Sequence, residues 1–375
     1  MRIGGSMEFN VERGTFLEAV QKTLGIVERK STMPILNNVL IKTGDGQITV
    51  VATDREVGLV AHYNATVVEE GGITIAARKL FEMIREIQGD SINLKKLENN
   101  WVTITCGKIK YRLPGISVDE FPEVSDGDDI GFSKIKSGLL REMITKTYFA
   151  ISTDEMRASL NGVYLKIDRG WIEMVATDGH RLSVVKMKLE DDVVPDFGSE
   201  GIIIPRKGVG EIRKLLEDDD EYVQVGIQQG VCILKKNNTI LRVSLIDSDY
   251  PDYEKVIPTE RGIDVTLNKD EMLHSLKRMG VISSERFSGV KIQLTDHKMV
   301  LSSINPDVGE AQDELTVDYS GKDLEMGYNV KYLIEAIDVI GERDISFEMR
   351  ESHGPGIIRS FGNDSYKCII MPLRL

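Results

Sequence analysis

Asp178 and His180 are the residues of this chain whose types and spacing could support catalysis. They lie two positions apart in the segment Thr-Asp-Gly-His-Arg, residues 177–181. Histidine is the usual general base of enzymes and aspartate is its usual orienting partner, so the pair could serve a hydrolase. No Gly-x-Ser-x-Gly nucleophile motif accompanies the pair. The histidines show neither HxxxH nor HxxE spacing, and we therefore predict neither a metal site nor another cofactor.

The Asp178 segment belongs to a long sequence repeat. Residues 37–54 read NNVLIKTGDGQITVVATD, and residues 161–178 read NGVYLKIDRGWIEMVATD. A more divergent copy of the same strand–turn–strand pattern occupies residues 287–306. The first copy has Asp-Arg-Glu at residues 54–56 where the second has Asp-Gly-His, so the histidine is not part of the repeated scaffold. A repeat of this length predicts duplicated domains rather than a solenoid.

Later landmarks recur in step with this repeat and divide the chain into three copies. The dipeptides Phe121-Pro122, Tyr250-Pro251 and Met371-Pro372 follow one another at similar intervals. We predict domains at residues 7–126, 130–257 and 262–375. Residues 1–6 are interpreted as an extension or a tag remnant.

Each copy is predicted to open with an amphipathic helix. Apolar residues recur at helical spacing after Phe16, from about Ser137 and from about Lys269. Alternating strands follow, and a second helix is expected near Arg78-Lys79, Arg206-Lys207 and Val330-Lys331. This composition predicts an α+β domain in which antiparallel sheets carry both helices on one face.

Composition restricts the possible classes of protein. The chain has 375 residues, of which 41% are hydrophobic, enough for three sizeable cores. No apolar run approaches the ~20 residues of a membrane helix, and the first residues lack the apolar core of a signal peptide. Three cysteines without metal spacing predict buried, reduced thiols and a cytoplasmic location.

The net charge of −13 argues against a nucleic-acid partner unless the 47 lysines and arginines gather on one surface. Basic residues such as Lys22, Arg141 and Lys277 fall on the polar sides of the predicted helices in all three copies. Two interpretations remain open at this point, an ordinary solvated helix surface and a surface that attracts phosphates.

Four segments resemble the bacterial sliding-clamp family, the beta subunits of DNA polymerase III. They are VATDGHRL at 175–182, IPRKGV at 204–209, YPDYEKV at 250–256 and MPLRL at 371–375. The resemblance runs from Met7 to Leu375. It implies three tandem clamp domains and a head-to-tail homodimer that forms a ring of six similar domains. Helices would line a hole around duplex DNA, and the chain would be a processivity factor without a catalytic site.

The resemblance also implies partners and site residues. Partners would be duplex DNA bound without sequence preference, the polymerase III alpha subunit, the clamp loader, and other polymerases and repair proteins with clamp-binding peptides. Six basic residues would contact DNA: Lys30, Arg78, Arg157, Arg206, Lys207 and Lys255. Two departures from the family affect this surface, because Ala158-Ser159 stands where some members have an aromatic pair and Asp154 where some have an uncharged side chain.

Two further sets of residues follow from the same resemblance. A hydrophobic cleft for partner peptides would be formed by Thr177, Gly179, His180, Arg181, Leu182, Pro251, Val256, Ile369, Met371, Pro372, Leu373 and Arg374. The dimer interface would join Tyr111 and Leu113 of one chain to Val281, Ile282, Glu285 and Arg286 of its partner. The alternative for Val281 and Ile282 is the buried end of a helix.

Two other functions remain open from the residues alone. An enzyme that uses Asp178 and His180 predicts a turnover that is lost in His180→Ala, whereas the clamp interpretation predicts weaker peptide binding. A sequence-specific DNA-binding regulator predicts tight binding to short linear duplexes, although no helix-turn-helix or zinc-finger pattern is apparent.

Overall fold

Each copy of the repeat begins with a short strand rather than with a helix. The prediction that a helix opens each copy was therefore wrong. Met7, Phe9 and Val11 alternate toward the core and form the opening strand of the first copy. The helix follows immediately, and the helices expected from Ser137 and Lys269 begin at those residues. The computed structural model describes the chain in these ranges: 6–27, 33–124, 130–189, 201–217, 221–284, 288–351 and 354–374.

The three copies have closely similar element orders. The first copy contains β1 (Met7–Glu12), α1 (Arg13–Thr23), β2 (Asn38–Gly44), β3 (Gln47–Thr53), β4 (Val57–Asn64), β5 (Thr66–Glu69), β6 (Gly71–Ala76), α2 (Ala77–Glu86), β7 (Ser91–Lys96), β8 (Trp101–Cys106) and β9 (Ile109–Pro114). The second contains β10 (Ser133–Lys136), α3 (Ser137–Thr147), β11 (Gly162–Asp168), β12 (Trp171–Thr177), β13 (Arg181–Lys188), β14 (Ile202–Pro205), α4 (Arg206–Leu215), β15 (Tyr222–Gln228), β16 (Val231–Lys236) and β17 (Thr239–Ser244). The third contains β18 (Ile263–Asn268), α5 (Lys269–Ile282), β19 (Gly289–Thr295), β20 (Lys298–Asn305), β21 (Gly309–Thr316), β22 (Leu324–Asn329), α6 (Val330–Asp338), β23 (Asp344–Met349), β24 (Gly356–Ser360) and β25 (Asn363–Ile370).

These strands form four antiparallel sheets, two of which cross the boundaries between copies. The first and last copies each keep a sheet of their own, in the orders β5-β1-β7-β8-β9 and β21-β20-β19-β22. The shared sheets have the orders β10-β15-β16-β17-β4-β3-β2-β6 and β14-β11-β12-β13-β25-β24-β23-β18. The central copy therefore contributes one half-sheet to each neighbour.

The two joints between copies use equivalent strands. In the first joint β17 pairs with β4, and Leu241 lies opposite Leu59 with both side chains buried. In the second joint β13 pairs with β25, and Val185 lies opposite Tyr366 with both side chains buried. Each joint thus combines backbone hydrogen bonds with a continuous apolar core.

As a result the described chain forms two compact units. One comprises Met1–Ser137 with Gly210–Leu245, and the other comprises Gly138–Val209 with Ile246–Leu375. The central copy is divided between them because its two half-sheets belong to different shared sheets.

Helices pack in pairs against the sheets. In the first copy α1 packs on α2, and in the third α5 packs on α6. Asn268 and Asn329 cap α5 and α6, because each side chain accepts hydrogen bonds from two N–H groups of the following turn. No helix in the described residues has the length and apolar character needed to cross a membrane.

The cysteine prediction holds for two of the three residues. Cys232 and Cys368 are free and buried, and burial raises the pKa of each thiol to about 12. Cys106 is also free but only half-buried, because it ends β8 at the turn of the outer hairpin β8–β9.

Candidate functional site

The turn between β12 and β13 is held together by the side chain of Asp178. Its Oδ1 accepts hydrogen bonds from the backbone N–H groups of His180, at 2.9 Å, and Arg181, at 3.0 Å. Gly179 adopts a φ of 87°, a left-handed conformation that glycine tolerates best. The same turn occurs in the first copy, where Asp54 Oδ1 accepts from two N–H groups. Asp178 is therefore a turn residue of the repeated scaffold.

The geometry does not support a catalytic pair. The His180 ring stacks on the ring of Tyr332, with centroids 6.5 Å apart, while the Asp178 carboxylate is directed to the backbone and to Arg181. A general base needs an orienting partner on its own ring nitrogen, and Asp178 does not occupy that position.

Arg181 holds the turn against α6. Its Nε donates to Asp178 Oδ2 at 3.2 Å, Nη1 donates to the Glu335 carboxylate, and Nη2 donates to the carbonyl oxygen of Phe149 at 2.5 Å. The guanidinium lies over two rings, 5.0 Å from the centroid of Phe149 and 4.3 Å from that of Tyr332. The side chain is only 7% exposed, so these contacts replace water around a buried cation.

An apolar cluster lies beside this turn. Its buried members are Val175, Leu182, Val184, Tyr253, Ile357 and Ile369, and its half-buried members are Tyr164, Tyr250 and Ile257. Tyr164 stacks on Tyr250 with ring centroids 4.9 Å apart. Burial raises the pKa values of Tyr250 and Tyr253, so both phenols stay neutral and act as apolar walls.

The structure places two of the predicted cleft residues in this cluster and two others next to it. Leu182 and Ile369 belong to it, and the N–H of Met371 donates to the carbonyl of His180 at 2.9 Å, which fixes the terminal segment beside the turn. Val256 ends the 3₁₀ turn that begins at Tyr253. Arg181 differs from the others, because its side chain is occupied by internal contacts. The remaining exposed or half-buried members are Thr177, Gly179, Pro251, Pro372, Leu373 and Arg374.

Sequence reasoning missed the aromatic wall of this cluster. Tyr250 and Tyr253 lie within the segment YPDYEKV, in which the family resemblance implies cleft roles only for Pro251 and Val256. A large aromatic residue on each side of the Pro-Asp pair was the available signal.

Arg78 and Arg206, predicted to contact DNA, have equivalent structural contacts. Arg78 Nη2 donates to the carbonyl of Leu24 at 3.4 Å, and Arg206 Nη1 donates to the carbonyl of Ile151 at 3.1 Å. Arg78 is the second residue of α2, and Arg206 is the first residue of α4. Leu24 directly follows α1, whereas Ile151 follows the 3₁₀ turn Tyr148–Ala150 after α3. Carbonyls past a helix end lack an intrahelical partner, so each arginine ties the start of a second helix to the segment that follows the first.

The other predicted DNA contacts lie in varied environments. Arg157 pairs with Asp154 at 3.3 Å and donates to the carbonyl of Asp178, so the departure from the family at Asp154 supplies a local partner. Lys255 is exposed, and its hydrogen bond to Asp252 raises its pKa. Lys207 is half-buried on α4. Lys30 lies outside the described residues.

The predicted interface residues lie at outer strands or near them. Tyr111 and Leu113 are on β9, the outer strand of the first sheet. Val281 is 77% exposed, so the alternative that it is a buried helix end is wrong for this residue. The exposed side chains of Ile304 and Val308 lie near the same end of α5, because Asn305 donates to the carbonyl of Ile282 at 2.8 Å. Glu285 and Arg286 lie outside the described residues.

Comparison with known proteins identifies the family. Three family models described as the N-terminal, central and C-terminal domains of the DNA polymerase III beta subunit match residues 7–125, 134–252 and 254–374. The beta sliding clamp of Pseudomonas aeruginosa is 32% identical over 373 residues, which cover 98% of this chain and 100% of that protein. The chain belongs to the DNA polymerase III beta-subunit family.

Solved structures of sliding clamps have the same fold. The Pseudomonas aeruginosa beta subunit bound to griselimycin matches with a TM-score of 0.91 at 30% identity, over 99% of this chain and 100% of that chain. The Bacillus subtilis clamp matches with a TM-score of 0.93 at 26% identity, over 99% and 100%. The prediction of three tandem clamp domains is thereby confirmed, whereas the residue boundaries given above stay a prediction.

Membership of the sliding-clamp family also decides the question of catalysis. The beta subunit is a non-catalytic subunit of the polymerase holoenzyme, and the hydrolase alternative for Asp178 and His180 is wrong. The conspicuous TDGHR segment instead shapes the edge of an apolar cluster.

We predict that Arg181→Met destabilises the second compact unit by about 2–4 kcal/mol. The change leaves Asp178 and Glu335 without their cation, and removing one partner of a buried ion pair costs about 3–5 kcal/mol. We expect a smaller loss of stability than this because both carboxylates are partly exposed, Asp178 to 17% and Glu335 to 31%. Urea unfolding and hydrogen exchange in α6 measure the effect.

The matched control is Arg169→Ala, because Arg169 is 93% exposed and its Nε lies 3.8 Å from Asp168. This variant is expected to stay within about 0.5 kcal/mol of wild type. If the amides of α6 exchange as slowly in Arg181→Met as in the wild type, Arg181 does not hold the turn against α6.

Proposed function

We propose that two copies of this chain close head to tail into a ring around duplex DNA and tether DNA-processing proteins through the apolar cluster beside the TDGHR turn. One observation carries the proposal. The two joints within the chain pair equivalent strands, β4 with β17 and β13 with β25. Among the described residues, one strand equivalent to β4 and β13 and one strand equivalent to β17 and β25 keep an unpaired outer edge.

The remaining strands are β21 and β9. The first kind of strand ends the first meander of each copy: β2-β3-β4, β11-β12-β13 and β19-β20-β21. The second kind ends the second meander of each copy: β7-β8-β9, β15-β16-β17 and β23-β24-β25. By the rule of the two existing joints, β21 of one chain pairs with β9 of a second chain. A heterologous contact of this kind is repeated twice in a dimer and closes into a ring of six similar domains.

Charge and shape at the two strands support the pairing. β9 has Lys110 and Arg112 on its exposed side, whereas β21 has Glu310 and Glu314 on its exposed side. Opposite charges across a strand pair favour association, and like charges oppose it. Exposed Val281, Ile304 and Val308 near β21 and the half-buried Tyr111 on β9 supply apolar surface for the same contact.

A ring that moves along DNA needs attraction without sequence recognition. Contacts to phosphates provide this, because they carry no base information, whereas base contacts would have to be broken at each step. The six basic residues that the family resemblance indicates, Lys30, Arg78, Arg157, Arg206, Lys207 and Lys255, are proposed for this role. The net charge of −13 disfavours DNA on other surfaces.

The apolar cluster beside Asp178 suits short apolar peptides. Its floor is buried, and the exposed side chains of Val256 and Leu373, 38% and 39% accessible, leave apolar area to be covered by a ligand. Methionine and leucine walls adapt to related peptides. Expected ligands are segments of the polymerase III alpha subunit, the clamp loader, other polymerases and repair proteins, all in the cytoplasm.

Retention on circular DNA tests the ring directly. We expect protein loaded onto a nicked plasmid by a clamp loader with ATP to stay bound through gel filtration and to be lost when the plasmid is cut once. A topological link explains both results, because an enclosed ring can leave only over an end. Retention on the cut plasmid would contradict the proposal and favour a sequence-specific DNA-binding protein.

Charge reversal tests the strand pairing. We expect Lys110→Glu with Arg112→Glu to sediment as a monomer, and Glu310→Lys with Glu314→Lys to do the same, because each variant places like charges on both strands. A mixture of the two variants should restore dimers, because both contacts of a mixed dimer then join an acidic strand to a basic one. Dimers in either variant alone would argue against this pairing.

Truncation of the cleft tests peptide binding. Val256→Ala with Leu373→Ala should weaken a clamp-binding peptide about 10- to 100-fold. The two changes remove five carbon atoms, of which a peptide would newly cover the equivalent of about two to three, and each buried methylene contributes about 0.8 kcal/mol. Fluorescence anisotropy of the labelled peptide measures the change. Phe361→Ala is the control, since Phe361 is 56% exposed on the β24–β25 turn. If the double variant and Phe361→Ala bind the peptide with equal affinity, the peptide does not bind at Val256 and Leu373.

A further inference from the structure

A recess of about 560 Å³ lies on the helix side of the second compact unit. Its lining includes Arg157, Arg181, Arg206 and Lys331, together with three carboxylates, Asp154, Asp178 and Glu335. The TDGHR turn forms one wall, and the first turn of α6 forms another. The recess is therefore separate from the apolar cluster but shares the turn with it.

Two of the four cations that line the recess, Arg206 and Lys331, are not used in its ion pairs. Arg157 is paired with Asp154, and Arg181 is paired with both Asp178 and Glu335. Among the described residues, neither Arg206 nor Lys331 has a carboxylate within 4.0 Å. The free charge in the recess is consequently positive.

Arg206 is held in position for an anion. Its Nη1 is bonded to the Ile151 carbonyl, and the guanidinium lies 4.8 Å from the centroid of the Tyr148 ring. A guanidinium restrained in this way loses little conformational entropy when it binds a phosphate. Arg206 is also the first residue of α4, and Lys331 lies in the first turn of α6, so two positive helix ends add to the field.

The repeat explains how the site arose from two copies. Lys79, Lys207 and Lys331 occupy equivalent positions in the second helices, but the preceding residue is arginine in the first two copies and Val330 in the third. Lys331 thus lacks an arginine of its own, and the recess brings it near Arg206 of the central copy.

We propose that Arg206 and Lys331 together bind a backbone phosphate of DNA, which makes Lys331 a DNA contact that the family resemblance did not indicate. The inference rests on the proposed clamp function and extends it. The other charged groups of the recess are already engaged with one another, so little remains to recognise a base. Such a site suits a sliding contact.

The test measures the salt dependence of binding to a short labelled duplex by anisotropy, with the full-length dimer. Lys331→Gln should lower the slope of log Kobs against log salt by about 0.9 for each phosphate that the protein no longer neutralises, and should weaken binding several-fold at low salt. Lys331→Arg should retain the wild-type slope. Lys322→Gln is the control, because Lys322 is exposed in the third copy before β22 and outside the recess, and the change removes the same charge.

The outcomes separate this inference from the clamp function itself. Wild-type retention on circular DNA establishes the clamp first, and an unchanged slope in Lys331→Gln would then overturn only the phosphate site. Equal reductions of the slope in Lys331→Gln and Lys322→Gln would also overturn it, since they indicate a general effect of net charge. Calorimetry with inorganic pyrophosphate completes the test. If Lys331→Gln abolishes pyrophosphate binding without a change in duplex binding, the recess is a site for free anions instead.

Discussion

The outer strand of a β-sheet has unpaired backbone N–H and C=O groups, and most of this structure depends on how that constraint is met. Each copy of the repeat ends its two meanders on a bare strand. The chain pairs these strands across copy boundaries, β17 with β4 and β13 with β25, and so builds two eight-stranded sheets from half-sheets. The clusters at the joints, including the one beside Asp178, exist because strands from two copies pack there.

The TDGHR turn shows how one local motif can serve several surfaces. Asp178 fixes the backbone of the turn, and Arg181 fastens it to the third copy through Glu335 and Tyr332. The backbone of His180 then positions the terminal segment at Met371. The apolar cluster and the polar recess are both shaped by this turn because its two sides face different elements. A buried arginine is costly unless its donors are satisfied, which restricts how far the second and third copies can shift at this joint.

Local sequence patterns predicted the helices and the threefold repeat well. Lys269 begins α5 where Asn268 supplies a capping side chain, and Arg206 begins α4 directly after the strand residues Ile202 to Pro205. The opening strands were missed because Met7, Phe9 and Val11 form a short alternating run that continues directly into helical spacing. The sharing of sheets was not predictable from local patterns, since a strand's own residues do not specify which edge it will meet. The same holds for Arg78 and Arg206, whose carbonyl partners come close only in the folded copy.

The division of the central copy between two shared sheets has a consequence for how the chain can be shortened or inherited. A fragment cut at the boundaries of the repeat would carry β13 and β17 as bare strands, each with its apolar side chains uncovered. Such a fragment would be prone to aggregate, and the neighbours left behind would expose β4 and β25 in turn. The repeated sequence unit is thus not a unit that folds independently. Gain or loss of one copy would also change which strands pair at the remaining joints.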